Sequence, residues 1–131
     1  MKYILLLTLL FISTAFAAPD FDETMAAAKQ DDATAQFDLG VMHDKGRGVP
    51  ENDAEAVKWY RKAADQGYAR AQFYLGYMYA NGEGVPENGA EAVKWYRKAA
   101  DQDDADAQFN LGYMYHTGAG VPENDAEAVK W

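Results

Sequence analysis

From residue 33 onward, apolar residues recur at helical spacing, and the whole pattern returns after 36 residues. In the first unit Ala35, Leu39 and Met42 stand at i, i+4 and i+7, which places them on one face of a helix. Gly40, next to that stripe, removes a side chain where another helix can approach closely. The spacing predicts a first helix, A, over about 33–44. Gly46-Arg47-Gly48-Val49-Pro50 then supplies turn geometry and lacks a backbone donor at the proline, so the helix stops. Asn52 with Glu55 three residues later has the form of a capping box, repeated by Asn88/Glu91 and Asn124/Glu127. It predicts a second helix, B, over about 53–66, with Ala56, Trp59, Tyr60, Ala63 and Ala64 alternating large and small on the buried face. Glu55, Lys58 and Lys62 occupy the solvated face, and Arg61 and Asp65 have the spacing of an i, i+4 ion pair. Trp59 and Trp95 are read as packing residues and not as platforms for a ligand.

The repetition is close. Ala35-Gln36-Phe37-Asp38-Leu39-Gly40 returns as Ala71-Gln72-Phe73-Tyr74-Leu75-Gly76 and as Ala107-Gln108-Phe109-Asn110-Leu111-Gly112. Units 33–68 and 69–104 differ at ten positions, and a third, 105–131, stops inside its helix B at Trp131. Segment 18–32 is in register too, because Ala27, Ala28 and Gln30 precede Ala63, Ala64 and Gln66 by one period. Its Glu23 and Thr24 replace the Trp-Tyr pair, which suits a lone B-type capping helix. The expected fold is all-α, an α-solenoid of antiparallel helix hairpins with a 36-residue period. An unfinished helix ending in Trp131 leaves apolar surface open. The expectation is therefore a piece of a longer array, monomeric or weakly associating end to end.

Ahead of the repeats, Lys2 precedes the apolar run Ile4–Ile12, followed by Ser13-Thr14-Ala15-Phe16-Ala17. This is the pattern of a secretory signal peptide, 1–17, with small side chains at Ala15 and Ala17 for cleavage after Ala17. The run is shorter than the ~20 residues that span a bilayer, so export to a bacterial periplasm or the extracellular space is expected, without membrane insertion after cleavage.

Charge narrows the partners. The formal charge is −9, and loss of Lys2 with the leader makes the remainder one unit more negative. Such a surface repels phosphate backbones and anionic membranes and favours basic or polar partners. There is no cysteine, so stability rests on packing without disulfides.

Catalysis finds few tools here. Beyond the leader the sequence has neither Ser nor Cys, which removes the serine and cysteine nucleophile mechanisms. His43 and His116 occupy different repeat positions and are not a ligand pair, so no metal site and no cofactor is expected. Glu51, Glu87 and Glu123 recur in the loops and invite comparison with paired glycosidase acids. Their place near the start of each helix B, where the helix dipole favours negative charge, is the simpler account. The sequence thus reads as a non-enzymatic binding module. A cell-wall-directed hydrolase and a purely structural spacer stay open as alternatives.

Leu-Gly and Met-Tyr in helix A, the Gly-x-Gly-Val-Pro loop and Trp-Tyr-x-x-Ala-Ala in helix B together resemble the Sel-one-like repeat family, related to the tetratricopeptide repeats. The resemblance covers 20–131 and implies a right-handed superhelix with A helices lining a concave face and B helices outside. It also implies adaptor or scaffold work through protein contacts. Within one array, positions identical in every unit serve stacking, and positions that differ are free to recognise something. The helix-A differences fall at Thr34/Arg70/Asp106, Asp38/Tyr74/Asn110 and Val41/Tyr77/Tyr113, on one face, continued by Lys45/Asn81/Thr117. If A helices line the concave side, this ladder is the floor of a groove that takes a peptide or protein segment. The expected contact residues are Thr34, Asp38, Arg70, Tyr74, Tyr77, Asp106, Asn110 and Tyr113.

Overall fold

The computed structural model describes residues 20–131. The signal peptide read from 1–17, with Ala15 and Ala17, lies outside the described residues. Those described form seven helices and no strand: α1 (Phe21–Ala28), α2 (Ala33–Lys45), α3 (Asp53–Asp65), α4 (Ala69–Asn81), α5 (Gly89–Ala100), α6 (Ala105–Thr117) and α7 (Asp125–Lys130). The principal packing joins each helix to the next in sequence, from α1 on α2 through to α6 on α7. The result is the all-α solenoid that the 36-residue period implied. Helices α2, α4 and α6 are the A helices, α3, α5 and α7 the B helices, and α1 packs on α2 as a B-type helix would.

Local chemistry sets the helix ends. Each A helix closes on a left-handed glycine, Gly46, Gly82 or Gly118, whose N–H returns to the carbonyl of Met42, Met78 or Met114. Each B helix opens on Asn52, Asn88 or Asn124, whose side-chain oxygen accepts from the N–H of Glu55, Glu91 or Glu127. Only this half of the expected capping box forms. The cap residues' own N–H groups bind the carbonyls of His43, Tyr79 and Tyr115 in the preceding A helix. The glutamates are left to lysines one turn on, as in Lys58–Glu55 at 2.7 Å. Glu51, Glu87 and Glu123 sit one residue before the caps rather than in the first turn, where the dipole acts on Asp53 and Glu55 instead.

A second expectation also changes. Arg61 does not pair with Asp65. Its guanidinium donates to the Tyr79 hydroxyl and lies over that ring, 5.6 Å from the centroid. The half-buried ring of the next unit offers a less hydrated partner than the exposed Asp65 carboxylate.

The core repeats with the sequence. Leu39, Leu75 and Leu111 are fully buried, with Tyr60 and Tyr96 beside the small Ala63, Ala64, Ala99 and Ala100. A Cβ placed on Gly40 would collide with the Tyr60 ring, and one on Gly76 would stand 2.9 Å from the Tyr96 ring. The glycine after Leu39 and after Leu75 therefore makes room for the tyrosine of the following B helix. Trp95 is buried, with the Lys98 ammonium 4.6 Å from its ring centroid, and Trp59 is half-buried under Lys62 at 4.8 Å. Both tryptophans serve packing.

A buried amide ladder ties the units together. Gln36 donates to the Ala28 carbonyl (3.2 Å), Gln72 to Ala64 (3.1 Å) and Gln108 to Ala100 (3.2 Å), each capping the last turn of the preceding B-type helix. Gln66 and Gln102 then donate to the oxygens of Gln36 and Gln72, both at 2.8 Å. Every polar group this brings into the core meets a partner, so the ladder fixes the stacking register without an unpaired burial cost.

Candidate protein-interaction surface

The structure separates the sequence-predicted ladder into parts with different work. On α2, Thr34 is exposed and Asp38 half-buried, and both line a cavity of about 290 Å³ shared with Glu23 and Asp32. Burial, and then the neighbouring Asp32 charge, push the Asp38 carboxyl above its ordinary value. Asp38 and Val41 also border a cavity of about 420 Å³ with Phe21 and Arg47. These residues stand apart from the rest of the ladder.

Arg70 is a staple between A helices. It bonds the buried Asp104 carboxylate at 3.0 Å and the exposed Asp106 carboxylate at 3.0 Å, joining the first turn of α4 to the start of α6. Its guanidinium lies 4.8 Å from the Phe73 centroid and 5.3 Å from that of Tyr74. Burial pulls its pKa down, but the bonds to Asp104 and Asp106 outweigh this and leave it raised. Asp104 also accepts from the Ala107 N–H as the α6 cap, at 3.0 Å.

Tyr74 belongs largely to the core. Its ring stacks on Tyr60, with centroids 5.3 Å apart and planes 20° from parallel, and touches Phe37 at 5.7 Å. The Tyr60 hydroxyl donates to buried Asp44 at 3.1 Å, and burial, aided by that carboxylate, raises its pKa strongly. A sequence comparison marks position 74 as variable but cannot say that a tyrosine placed there folds back over its neighbour.

Tyr77, Asn110 and Tyr113 come together. They border a pocket of about 280 Å³ between α4 and α6, with Tyr96 and Asn81 completing its wall. Tyr77 is 41% and Tyr113 61% exposed, a pair of aromatic rings presented to solvent in a fixed frame. Asn81 and Thr117 hold the rim, donating to the carbonyls of Tyr77 and Tyr113, both at 2.9 Å. Burial raises the Tyr96 hydroxyl to about 12, with a hydrogen bond from Asn110 acting against it. Tyr96 and Asn81 were absent from the predicted set. The register of Tyr96 with Tyr60 is a signal that could have found the first, and Asn81 stands on the continued ladder face, at Lys45/Asn81/Thr117, outside the expected contact residues.

Among the described residues no three His, Asp or Glu side chains gather as a metal ion requires, and no helix is long and apolar enough to cross a membrane. A cavity of about 520 Å³ lies at the C-terminal end, bordered by Phe109, Tyr113, Val129 and Trp131. There Phe109 is 73% and Val129 87% exposed.

The family model described as the Sel1 repeat matches residues 33–68, 69–104 and 105–131. The chain belongs to the Sel1 repeat family. Sel1 repeats are scaffolds that mediate protein–protein contacts. A solved Sel1 repeat protein from Oxalobacter formigenes is 43% identical, with TM-score 0.80 over 83% of this chain and 45% of its own. The protective antigen c5321 of uropathogenic Escherichia coli, which displays the same repeat fold, is also 43% identical, with TM-score 0.83 over 86% of this chain and 24% of that one. Cysteine-rich protein B of Helicobacter pylori is 25% identical, with TM-score 0.64 over 83% of this chain and 77% of its own. Among curated proteins, the rat DAP3-binding cell death enhancer 1 is 42% identical over 52 residues, 35% of this chain and 10% of that protein. The chain thus spans less than half the length of the first relatives it matches.

Proposed function

We propose that this Sel1 repeat chain is an exported, non-catalytic adaptor that captures a peptide or protein segment along the ladder of its A helices, chiefly between α4 and α6. One observation carries the reading. Tyr77, Asn110 and Tyr113, at positions that differ between near-identical units, gather from two A helices around one solvent-open pocket. Units that stack by copying one another have no packing reason to expose two tyrosines there, whereas exposed aromatic rings in a rigid frame suit recognition. The name of the rat relative describes protein binding, which agrees in kind. Export rests on Lys2, the Ile4–Ile12 run and the small Ala15 and Ala17, and places the adaptor in the periplasm or outside the cell. The lack of Ser and Cys beyond the leader supports a role without turnover.

The test is affinity capture from envelope and culture medium with the wild-type chain and with Tyr77→Ala/Tyr113→Ala. Partners retained by the first and lost by the second, at equal helical content, support the adaptor. The same partners on both move the site elsewhere. Specific partners on neither leave the structural spacer as the better reading, and turnover of cell-wall fragments abolished by replacing one acid would favour the hydrolase.

A further inference from the structure

We infer that the pocket between α4 and α6 takes one aromatic side chain of a partner segment, held between Tyr77 and Tyr113 over Tyr96, with a basic residue of the same segment beside Asp106. This rests on the adaptor reading and names what the adaptor recognises.

The chain contains its own template for the bound ring. At the junction of the first two units Tyr74 of α4 covers Tyr60 of α3, with ring centroids 5.3 Å apart. One period later Tyr96 takes the place of Tyr60, and Asn110 takes that of Tyr74. Asparagine is shorter by most of a phenol ring. Where Tyr74 completes the first junction, the second retains an opening of about 280 Å³ bordered by Tyr96, Asn110, Tyr77 and Tyr113. A cavity of roughly 150 Å³ is enough to admit benzene, so a ring fits with room for its attachment. Tyr77 and Tyr113, 41% and 61% exposed, offer ring faces and edges to it, the arrangement in which aromatic groups attract.

Charge selects the flanking residue. One helical turn before Asn110, about 6 Å along the axis, Asp106 projects with its carboxylate 67% exposed. Arg70 is shared between Asp104 and Asp106 at 3.0 Å each, so two carboxylates face one guanidinium and the cluster keeps a net negative charge. A cation two residues from the inserted ring, at roughly 3.3 Å per extended residue, reaches that cluster.

Tyramine, a phenol carrying an ammonium group, is the minimal probe for both halves. It is titrated into the isotope-labelled chain while amide shifts are followed, with p-cresol lacking the charge and 2-cyclohexylethylamine lacking the aromatic ring. The expected result is saturable shifts confined to Tyr77, Asn81, Tyr96, Asp106, Asn110 and Tyr113, at least threefold weaker for p-cresol and absent for the cyclohexyl amine. Asn110→Tyr, which fills the opening with the protein's own ring, abolishes the tyramine shifts at an unchanged or higher Tm. Tyr113→Ala, which alters only an exposed ring, weakens them at least threefold and decides the matter should Asn110→Tyr fail to fold. Shifts elsewhere, no saturable shifts, equal binding of the cyclohexyl amine, or full binding by a folded Asn110→Tyr overturn the inference. Because tyramine needs no partner, such a failure beside Tyr77/Tyr113-dependent capture removes the aromatic-basic specificity and leaves the adaptor standing.

Discussion

Tyr74 lies almost flat on Tyr60, 5.3 Å between centroids and 20° from parallel, and one period later Asn110 stands where that upper ring would be. The same helix-A position is thus filled by the protein at one junction and left open at the next. Two positions that a sequence comparison treats alike, 74 and 77, consequently differ in what they do.

Tyr74→Ala is expected to destabilise the fold by about 2 kcal/mol, below the ~3–5 kcal/mol of a fully buried aromatic because the ring is half-exposed. Tyr77→Ala and Tyr113→Ala are expected to stay within about 0.5 kcal/mol of wild type. Urea unfolding of the three variants checks this. A loss at Tyr113 as large as at Tyr74 would show that the exposed ring is structural.

Gly40→Ala and Gly76→Ala force a methyl group against Tyr60 and Tyr96, a buried overpacking that costs about 1–3 kcal/mol. Gly112→Ala is expected to cost least, since its nearest neighbour is the Ala128 carbonyl at 3.2 Å with no tyrosine ring behind it. Thermal melts that rank Gly112 as the most sensitive of the three would contradict the packing described.

Gln72→Ala removes the second donor from the Ala64 carbonyl, which keeps the Gly67 N–H, and leaves the Gln102 amide without its acceptor beside the core. The expected cost is about 2 kcal/mol, with hydrogen exchange accelerated most at the end of α3 and the start of α4. Uniform acceleration throughout the chain would argue against a local inter-unit bond.

Alkaline pH tests the buried tyrosines. Tyr96 is raised to about 12, and Tyr60 is raised too, so folding opposes loss of these protons. Between pH 10 and 12 the unfolded chain binds fewer protons than the folded one, and stability falls with rising pH. Ultraviolet titration is expected to show a late-ionising pair of tyrosines, and Tyr96→Phe removes its share of the stability loss. Titration of every tyrosine together in the folded protein would contradict this.

Much of the solenoid was legible because each unit repeats the same local signals. The Ala-Leu-Met stripe, the glycine-proline breaks and the Asn caps lie within a few residues of one another, and the helix ends they imply fall within a residue of those observed for both helices of the first unit. Side-chain destinations were less legible, since they depend on the neighbouring unit. Arg61 leaves Asp65 for the Tyr79 hydroxyl, and Arg70 is drawn to Asp104 and Asp106 across the stack. The identity of Gln36, Gln72 and Gln108 was plain, but their role needed the preceding helix end in place. At the surface, spacing placed Tyr77, Asn110 and Tyr113 on one face, and they border one pocket, while the pocket itself depends on Tyr96 from α5, which spacing within helix A cannot reveal.

The most direct measurement of the binding claim is site-specific photo-crosslinking in cells producing the full chain, with the photoreactive residue at Tyr113 in one variant and at exposed Lys94 on α5 in another. A discrete adduct formed from position 113 and absent from position 94 is the predicted result. No adduct from 113, or the same adducts from 94, would contradict a binding surface between α4 and α6.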